Sequence, residues 1–521
     1  MVVFYTTDDV SFVENNQTLE LGDGTWQTMT GLGTYRHYFA DPQTQQVAVI
    51  STMRENDKGI IYDLRLKLDG NKISEIESVA IRDPRSAALY EEMGTPPANF
   101  LETIPVEQRN TREEMLATTV QYFEGMENNI PNRGYDFFDE ECNRIEHAVQ
   151  TTNNDPTAYG HSTDTEFVTL TCEGQFNTGF LGFVTRVRDK RYMVIDEERQ
   201  SVFGIIFLDH NGTVREITQG DGSIFEIPSY FSASRTLMVG EAWRIRDNKL
   251  LEIEMTLTEF PYGMRPQYEP DNSDWLASHN VNVNNAIIPS NCNQNCLNTV
   301  TNSFLNALVS HNYSELALSP NVSYKENGQA LALGDGLWGT ATELNDYQIY
   351  LSNPDNGEAG FFGTITETDI PALLSARIQV SDGLIQDINV TVMRHETRDA
   401  RGGTLTIHGP QLDSMFTPEM FASVEDQIKS GGNSSINDLM ALASSYAPDS
   451  ARESQIMLAD ATNGLVLQQS IQDISNASNE ERDPLSSGSY SVLTSTLYKF
   501  NGEELLMSKS VSRPMPYKMP L

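Results

Sequence analysis

The sequence predicts an α+β fold, in which helices pack on curved antiparallel sheets in tandem cone-shaped domains. Three observations support this prediction. One stretch of residues occurs twice, a second pair of matching stretches ends each half of the chain, and β-rich runs with hairpin turns follow helical segments. Helices before an antiparallel meander are typical of α+β domains, and a concave sheet under helices leaves a pocket between them.

The repeated stretch reads ENNQTLELGDGTWQT at residues 14–28 and ENGQALALGDGLWGT at residues 326–340. Around it, residues 10–82 align with residues 322–394 at one constant offset of 312 and without a gap. An alignment of this length and regularity indicates a duplication.

A second, weaker match relates residues 243–264 to residues 498–519, where Pro-Tyr-x-Met recurs. The two matches divide the chain into two copies of a two-domain module, joined by a polar linker at residues 269–290. The predicted domains are unit A (1–84), unit B (100–268), unit C (291–398) and a degenerate unit D (412–521).

Unit C opens with an amphipathic helix pattern, in which Leu297, Phe304 and Leu308 share one apolar stripe. Residue 1 comes too late for unit A to contain the same helix. We therefore expect unit A to lack its first helix, and the natural N-terminus to lie upstream together with any signal peptide.

The charge of the chain argues against two classes of partner. Its 73 acidic and 35 basic residues give a net charge of −38, which repels nucleic acid phosphates and anionic membrane surfaces. No run of eighteen apolar residues is present, so no membrane-spanning helix is predicted. The sequence gives no indication of the oligomeric state.

The four cysteines form two pairs, Cys142 with Cys172 and Cys292 with Cys296, without the spacing of a zinc site. Two disulfides would place the protein in an oxidising compartment, secreted or periplasmic. The alternative is four buried free thiols. No HExxH motif or histidine spacing typical of ligands occurs, so we expect no metal and no other cofactor.

Unit B contains the segments with the most polar chemistry. Residues 111–127 and the start of 174–189 have helical spacing, and residues 138–152 are interpreted as a second helix. β-rich runs cut by Asn-Gly and Asp-Asn turns follow them.

The chain resembles a family of unknown function found in fungal and bacterial, often secreted, proteins. The resemblance rests on NVSYKENGQALALGDGLWGTA with the preceding CNQNCLNTVTNSFLNALVSHN, and on CNRIEHAVQTTN with FNTGFLGFVTRVRDKRYMVIDEERQSVFGIIFLDHNG. It covers most of units A, B and C. The family is similar in fold to the nuclear transport factor 2 (NTF2) and SnoaL-like superfamily, which implies a cone-shaped pocket. Relatives in that superfamily include isomerases, dehydratases, cyclases, epoxide hydrolases and binding proteins, so the fold does not select a reaction.

In the segment FGIIFLDHNG, Asp209 and His210 lie at the end of a predicted strand. Adjacent strand residues face opposite sides of a sheet, so only one of the two can point into the cone. A histidine there is a candidate general base. The alternative is a hairpin turn, for which Asp-His-Asn-Gly is well suited.

Two further groups of polar residues are candidates in unit B. Arg186, Arg188 and Arg191 form a basic cluster suited to holding a carboxylate, or alternatively an internal ion-pair network. Glu146 and His147 are candidates for acid–base chemistry on the predicted second helix.

The GDGxW motif suggests a tight turn with glycines at positive φ and a tryptophan packed beneath it. It lacks the helix and lysine of a phosphate-binding loop, which argues against nucleotide binding. A sugar stacked on Trp26 or Trp338 is the alternative role for the motif.

These observations favour a pocket-containing protein of the NTF2-like kind that binds a small organic molecule. The alternative is an isomerase, dehydratase or cyclase that uses Asp209, His210 and the arginine cluster of unit B. The residues that would carry chemistry occur in unit B and have no counterpart in unit D.

Overall fold

The computed structural model describes residues 5–155, 167–227, 229–268, 286–394, 396–398, 405–407, 435–477 and 488–520. Most of the predicted linker at 269–290 and the start of unit D lie outside this part of the chain. Among the described residues, no helix has the length and apolar character needed to cross a membrane.

The described chain is a mixed α+β structure with four large sheets. Sheet 1, in unit A, consists of β1 (Thr6–Glu14), β2 (Gln17–Leu19), β3 (Met29–Asp41), β4 (Gln46–Glu55), β5 (Lys58–Asp69) and β6 (Lys72–Ile81). Sheet 2, in unit B, consists of β7 (Phe138–Glu146), β8 (Val149–Gln150), β9 (Arg186–Asp196), β10 (Ser201–His210), β13 (Arg235–Arg246) and β14 (Lys249–Phe260). Between its strands, β11 (Glu216–Thr218) and β12 (Ile224–Glu226) form a small hairpin.

Sheet 3, in unit C, consists of β15 (Leu318–Glu326), β16 (Gln329–Leu331), β17 (Ala341–Asn353), β18 (Glu358–Glu367), β19 (Ile370–Ser381) and β20 (Leu384–Arg394). A second small hairpin follows, formed by β21 (Glu396–Arg398) and β22 (Leu405–Ile407). Sheet 4, in unit D, consists of β23 (Ala451–Asp460), β24 (Leu465–Ala477), β25 (Gly488–Asn501) and β26 (Glu504–Pro516).

Helices are few and mostly short. The α-helices are α1 (Thr25–Thr28), α2 (Pro84–Met93), α3 (Ala98–Leu101), α4 (Arg112–Glu127), α5 (Cys172–Asn177), α6 (Gln294–Val309), α7 (Leu337–Thr340) and α8 (Ile436–Ser445). Single 3-10 turns occupy Val106–Gln108, Phe167–Thr169, Phe180–Phe183 and Ser229–Ser232.

Sheets 1, 2 and 3 have one strand order. In each sheet, four antiparallel strands form a meander, and the first strand of the unit adds beside the last one in parallel. The predicted antiparallel meander is present in all three sheets, and each adds one parallel strand pair that was not predicted. Sheet 4 contains the four-stranded antiparallel meander alone in its described residues.

The positions of the strands repeat as the sequence does. β1 (Thr6–Glu14) and β15 (Leu318–Glu326) begin and end 312 residues apart, and the same offset relates β2 to β16, β3 to β17, β4 to β18 and β5 to β19. The turn between β13 and β14 pairs Arg246 with Lys249, and the turn between β25 and β26 pairs Asn501 with Glu504, 255 residues later.

The predicted second helix at 138–152 is wrong, because this segment forms β7 and β8. Between the pairs Leu250–Phe138 and Glu252–Asn143, the register of β7 against β14 shifts by several residues. This irregularity breaks the two-residue alternation of a strand. It places Phe138, Cys142 and Ile145 at spacings that resemble those of a helix. The predicted helices at 111–127 and at the start of 174–189 are confirmed as α4 and α5.

Helices cover one face of sheets 2, 3 and 4, namely α4 on sheet 2, α6 on sheet 3 and α8 on sheet 4. The opposite faces pack against a neighbouring unit. Phe39 and Ile61 of unit A join Phe203 and Met238 of unit B in one core cluster. In the same way, Ile349 and other residues of unit C share a cluster with residues of unit D.

Candidate functional site

Strand β10 places Asp209 and His210 on opposite faces of sheet 2. The preceding even-numbered residues of the strand, Ile206 and Leu208, belong to the core under α4, and Ile205 and Phe207 belong to the core shared with unit A. His210 therefore lies on the face under the helices and Asp209 on the outer face. This separation keeps the two residues from acting on one bound molecule.

Asp209 is held by two arginines of the neighbouring strand. Its carboxylate accepts hydrogen bonds from Arg186 Nε at 2.6 Å and Arg188 Nε at 2.8 Å, and from the Thr236 hydroxyl at 2.6 Å. Burial opposes its ionisation, but the charges of Arg188 and Arg186 outweigh that effect and hold the pKa of Asp209 below its usual range. The arginines thus hold a carboxylate that belongs to the chain itself.

Arg191 reaches across to unit A. Both of its terminal nitrogens contact the Glu77 carboxylate, at 2.6 and 3.0 Å, in a bidentate buried pair. A bulge in β9, where Asp189 has φ 51°, keeps Arg191 on the same outer face as Arg188. The basic cluster therefore faces away from the interior of unit B.

His210 is packed among aromatic rings. Its ring stacks on Phe183 with centroids 5.0 Å apart and lies 4.8 Å from the ring of Phe231. Burial lowers the pKa of His210 to about 4, so the imidazole is neutral at physiological pH. Its Nδ1 lies 3.2 Å from the carbonyl oxygen of Phe183.

His147 sits in the turn between β7 and β8, with φ 48°. Its Nε2 accepts a hydrogen bond from the Leu257 amide at 2.9 Å, and its Nδ1 lies 3.8 Å from Asp83. Glu146, by contrast, pairs with Arg144 at 2.8 Å on the face of sheet 2 that α4 covers. Of the two predicted residues, only Glu146 adjoins the interior of unit B.

The GDGxW motif forms the expected tight turn in both copies. The expectation of positive φ is confirmed at Gly22 and Gly24, and again at Gly334 and Gly336. A Cβ on Gly24 would lie 2.9 Å from the Glu14 carboxylate, so this glycine is also required by close approach.

Buried charges explain why the flanking residues repeat. The Glu14 carboxylate accepts a hydrogen bond from the Thr25 amide at 2.9 Å. The Glu55 carboxylate accepts hydrogen bonds from Arg82 Nε at 2.7 Å and from the Thr28 hydroxyl at 2.6 Å. The second copy repeats the arrangement with its own residues, Glu326, Leu337, Glu367, Arg394 and Thr340. This network connects the motif to the last strand of each unit.

The two tryptophans of the motif differ in exposure. Trp338 is 1% exposed and packs against Phe304 of α6 and against Tyr313. Trp26 is 41% exposed. Trp338 is therefore a core residue with no surface for stacking a sugar, whereas Trp26 keeps an accessible ring.

All four cysteines are in disulfides, Cys142 with Cys172 and Cys292 with Cys296. The first connects β7 to α5 inside unit B, and the second closes the start of α6.

A buried carboxyl that the sequence reasoning missed lies under α4. Glu241 on β13 is fully buried, between Val239 and Trp243, which face the same core. The signal was available, because the inward positions of the strand after Arg235, namely Leu237, Val239, Glu241, Trp243 and Ile245, are all apolar except this glutamate. An acidic residue at an inward strand position is expensive unless it has a partner or a function.

Glu241 belongs to a row of residues that crosses sheet 2. From edge to edge, the paired residues are Tyr192, Gly204, Glu241, Met255 and Glu146. A Cβ on Gly204 would lie 3.3 Å from the Trp243 ring and 2.6 Å from a backbone oxygen, so the glycine leaves the space that the indole occupies. The next row brings Trp243 into line with Ile253 and Arg144.

Four polar groups converge in this interior, and among the described residues the one hydrogen bond they have is the contact between Tyr122 and Glu241. They are the Glu241 carboxylate oxygens, the hydroxyls of Tyr122 and Tyr192, and the indole nitrogen of Trp243. Buried polar groups are nearly always paired, so a cluster of such groups indicates a site that a ligand or ordered water completes.

The electrostatics of the interior keep Glu241 protonated near neutral pH. Burial raises the pKa of Glu241 to about 8, and the charge of Arg144 and the nearby Tyr122 hydroxyl offset this only in part. Burial likewise raises the pKa of Tyr122 well above its usual value. The site can therefore donate or accept a proton at ordinary pH.

A comparison with known protein families finds a match in unit B. Residues 108–257 match a family described as a domain of unknown function (DUF8021). The DUF8021 segment includes α4, all of sheet 2 except the end of β14, and every residue of the interior cluster. A search of curated proteins finds no match.

Solved structures similar to the chain include two of modest coverage. An NTF2-like protein of unknown function from Cytophaga hutchinsonii is 11% identical, with 19% of this chain and 89% of that chain covered and a TM-score of 0.16. A de novo designed protein with a curved β-sheet is 13% identical, with 29% and 88% covered and a TM-score of 0.17.

Away from Glu241, a depression between Ala233 of unit B and residues of unit C has about 170 Å³ of empty volume. This is smaller than the cavities that hold drug-sized ligands. Its charged lining residues, Glu367 and Arg394, are paired with each other. No group of three metal-ligating side chains occurs among the described residues.

Proposed function

We propose that this chain is an NTF2-like binding protein whose unit B takes a small organic molecule at Glu241. One observation carries the proposal. A fully buried carboxyl lies beside two tyrosine hydroxyls and an indole nitrogen, and apart from the contact between Tyr122 and Glu241 these groups need hydrogen-bond partners. The interior around them is apolar and aromatic, as ligand sites with a few convergent polar groups are.

The donors of the site define the class of ligand. The Trp243 indole is only a donor, the hydroxyls of Tyr122 and Tyr192 donate readily, and a protonated Glu241 donates as well. A largely apolar molecule with a carbonyl or similar acceptor oxygen satisfies such a set. Because aromatic side chains pack around Glu241, the ligand enters by displacing side chains, and Tyr192 is the partly exposed one among them.

The Arg144–Glu146 pair marks the route to the surface. Its side chains are partly exposed, and Glu146 lies in the same cross-strand row as Glu241, with Met255 between them. Arg186, Arg188 and Arg191 have a structural role in this proposal, because they hold Asp209 and Glu77.

Units A to D are, in this proposal, tandem copies of one NTF2-like domain, and the protein works in an oxidising compartment, secreted or periplasmic. The recurring strand positions and the shared strand order of sheets 1, 2 and 3 support the first statement. The two disulfides support the second.

The test is a thermal-shift screen of the intact chain against apolar ketones, esters, polyketide-like and sterol-like molecules, and oligosaccharides. A ligand at about a hundred times its Kd adds about 2.7 kcal/mol, which raises Tm by a few degrees. The shift should disappear in Glu241→Gln. It should persist in Glu252→Gln, which changes a buried carboxyl on the other face of sheet 2. A shift that survives Glu241→Gln, or no hit in any class, refutes the site.

An enzyme of the isomerase, dehydratase or cyclase kind is the second candidate. The observation in its favour is that a buried carboxyl with a pKa near neutrality can move a proton, which these reactions require. Glu241 is the proton-transferring group in this version, acting as an acid when protonated and as a base when ionised, because His210 and Asp209 lie on opposite faces and are engaged in hydrogen bonds. Turnover of a screened ligand that is lost in Glu241→Gln and kept in His210→Ala would support it. Loss in His210→Ala alone would refute it.

A further inference from the structure

The inner face of sheet 1, the face that matches the α6-covered face of sheet 3, exposes a row of large apolar side chains. Leu32 is 72% exposed, Tyr38 is 61% exposed and Trp26 is 41% exposed. Around them, Met53 and Leu64 are only partly buried on the same face. A contiguous exposed apolar surface of this kind marks an interaction site in a soluble protein.

The matching face of unit C is covered by a helix. The counterparts of Trp26, Leu32 and Tyr38 are Trp338, Leu344 and Tyr350, and all three belong to the core that α6 completes. Leu297, Phe304, Leu305 and Leu308 of α6 are fully buried in it. Phe304 lies 5.4 Å from the Trp338 ring, and the Tyr350 hydroxyl donates to Asn302 of α6 at 3.5 Å.

We propose that this face of unit A, called the open face below, is a docking site for an amphipathic α-helix of a partner protein. The helix carries an apolar stripe at the spacing of α6, with aromatic or leucine side chains over Trp26. In this mode of recognition, the apolar face of a helix lies in an apolar groove. Side chains three and four residues apart along the helix make the specific contacts.

The open face is continuous with an interface that already exists. Tyr517 of unit D packs with Phe12, Leu19 and Ile76 of unit A, and Phe12 lies 6.2 Å from the ring of Trp26. In unit C, the corresponding tyrosine from the neighbouring unit, Tyr262, and α6 share one core. In unit A, Tyr517 therefore already supplies one part of the equivalent core. A docked helix would supply the missing part.

The matched units also argue for a helix over other occupants. In the described residues, α4, α6 and α8 each cover the equivalent face of their own sheet. The side chains of the open face align with those under α6 at a constant offset of 312. A surface shaped in this way fits a helix better than a small ligand or a flat protein surface.

The experiment uses the intact chain and a synthetic peptide of residues 293–312 in which Cys296 is replaced by serine (Cys296→Ser). Binding is measured by calorimetry and by tryptophan emission, which should shift to shorter wavelength as Trp26 becomes buried. We expect a Kd in the micromolar range. A control peptide with Phe304→Asp and Leu308→Asp should not bind, because it lacks the apolar stripe.

Two variants of the protein locate the site. Leu32→Asp should weaken binding by at least about tenfold, and Val106→Asp, at an equally exposed position of unit B, should leave it unchanged. Trp26→Phe should keep binding by calorimetry and lose the emission shift. Both aspartates are placed at exposed positions, so folding is retained.

Other results overturn the proposal. These are absence of peptide binding, binding that Leu32→Asp does not affect, and equal binding of the control peptide. Self-association that buries Trp26 as protein concentration rises would assign the face to a second copy of the chain. Peptide binding and ligand binding at Glu241 are independent, so failure of one leaves the other standing.

Discussion

Units A and C use the same strand positions, but each joins its neighbouring unit by different chemistry. Between units A and B, His37 Nδ1 lies 2.6 Å from Glu254, the Tyr35 hydroxyl donates to Glu254 at 2.8 Å, and the Thr256 hydroxyl donates to Asp63. All of these groups are buried. Between units C and D, most of the interface is a cluster of aliphatic and aromatic side chains, and the buried carboxylate of Asp460 accepts a hydrogen bond from the Ser352 amide at 3.1 Å.

Residues at matched positions of units A and C show which side chains differ between the two interfaces. His37 corresponds to Ile349, and Asp63 corresponds to Ser375, whose hydroxyl meets that of Ser495 at 2.8 Å. The same backbone thus accepts an ionisable interface or a nearly apolar one. The difference teaches that the repeated pattern sets the strand order, while the interface residues vary: the A–B interface buries Asp63, whose pKa is raised to about 7 by burial, where the C–D interface has Ser375.

Units A and C also differ in what covers the inner faces of their sheets: α6 covers sheet 3, whereas the open face of sheet 1 is exposed. The largest expected effect of a substitution on stability follows from this difference. Trp338→Ala should lower the free energy of unfolding by about 3–5 kcal/mol, because it opens a cavity in a core sealed by α6. Trp26→Ala should cost less than about 1 kcal/mol, because its ring is already 41% exposed. Denaturant unfolding of both variants measures the two values, and equal losses would contradict the comparison.

The sequence predicted the parts of the fold that local pattern and repetition determine. The two GDGxW stretches predicted matched turns, and the strands around them recur at the same offset of 312. The segment 138–152 was interpreted wrongly because a bulge in β7 hides the strand alternation. Such an irregularity depends on the partner strand β14, which local spacing does not reveal.

The functional residues were harder to predict, for a physical reason. The arginines at 186, 188 and 191 were candidates for an anion site or for an ion-pair network, and the sequence could not decide between these. Arg188 does pair with its neighbour Asp189, but the other partners, Asp209 and Glu77, are distant in sequence, and Glu77 lies in another unit. Glu241 was overlooked because one glutamate in a strand is ordinary until the strand is known to be fully buried. Three-dimensional pairing decides whether a charge is satisfied, and single-sequence reasoning does not contain it.

The pH dependence of stability should separate the two interfaces. Burial raises the pKa of Asp63 to about 7. The folded state therefore holds this proton over a range in which the unfolded chain has released it. Stability from this group is complete below pH about 4, where unfolded aspartates are protonated, and is lost as pH rises through about 7.

We expect Asp63→Asn to remove on the order of 2–4 kcal/mol of this pH-dependent change. Urea unfolding from pH 5 to 8.5 measures this pH-dependent change in stability. Amide hydrogen exchange, compared between β5 and β14 of the A–B interface and β19 and β26 of the C–D interface, shows where it arises. Ser375→Asp is the matched reverse change, because it places a carboxyl in the C–D interface and should create a similar dependence there. A wild-type profile that is flat for β5 and β14 would contradict the assignment.

The smallest expected effect concerns two tyrosines that connect the halves. Tyr262 of unit B donates to Asp335 of unit C at 2.6 Å, and Tyr517 of unit D donates to Asp23 of unit A at 3.1 Å. Each aspartate is the central residue of a GDGxW motif, so the repeated motif is also the acceptor for the repeated Pro-Tyr-x-Met ending. The halves therefore hold each other through two equivalent contacts.

Removing each hydroxyl tests whether the two contacts are equivalent in energy as well as in position. Tyr262→Phe should cost about 1–2 kcal/mol, since a short hydrogen bond of 2.6 Å to a partly buried carboxylate is lost. Tyr517→Phe should cost about 0.5–1 kcal/mol, because its bond is longer and water reaches Asp23, which Lys518 also approaches at 3.7 Å. Denaturant unfolding of both variants and of the double variant gives the values. Additive losses would mean that the contacts act independently, while a double loss larger than the sum would mean that each supports the other in closing the chain.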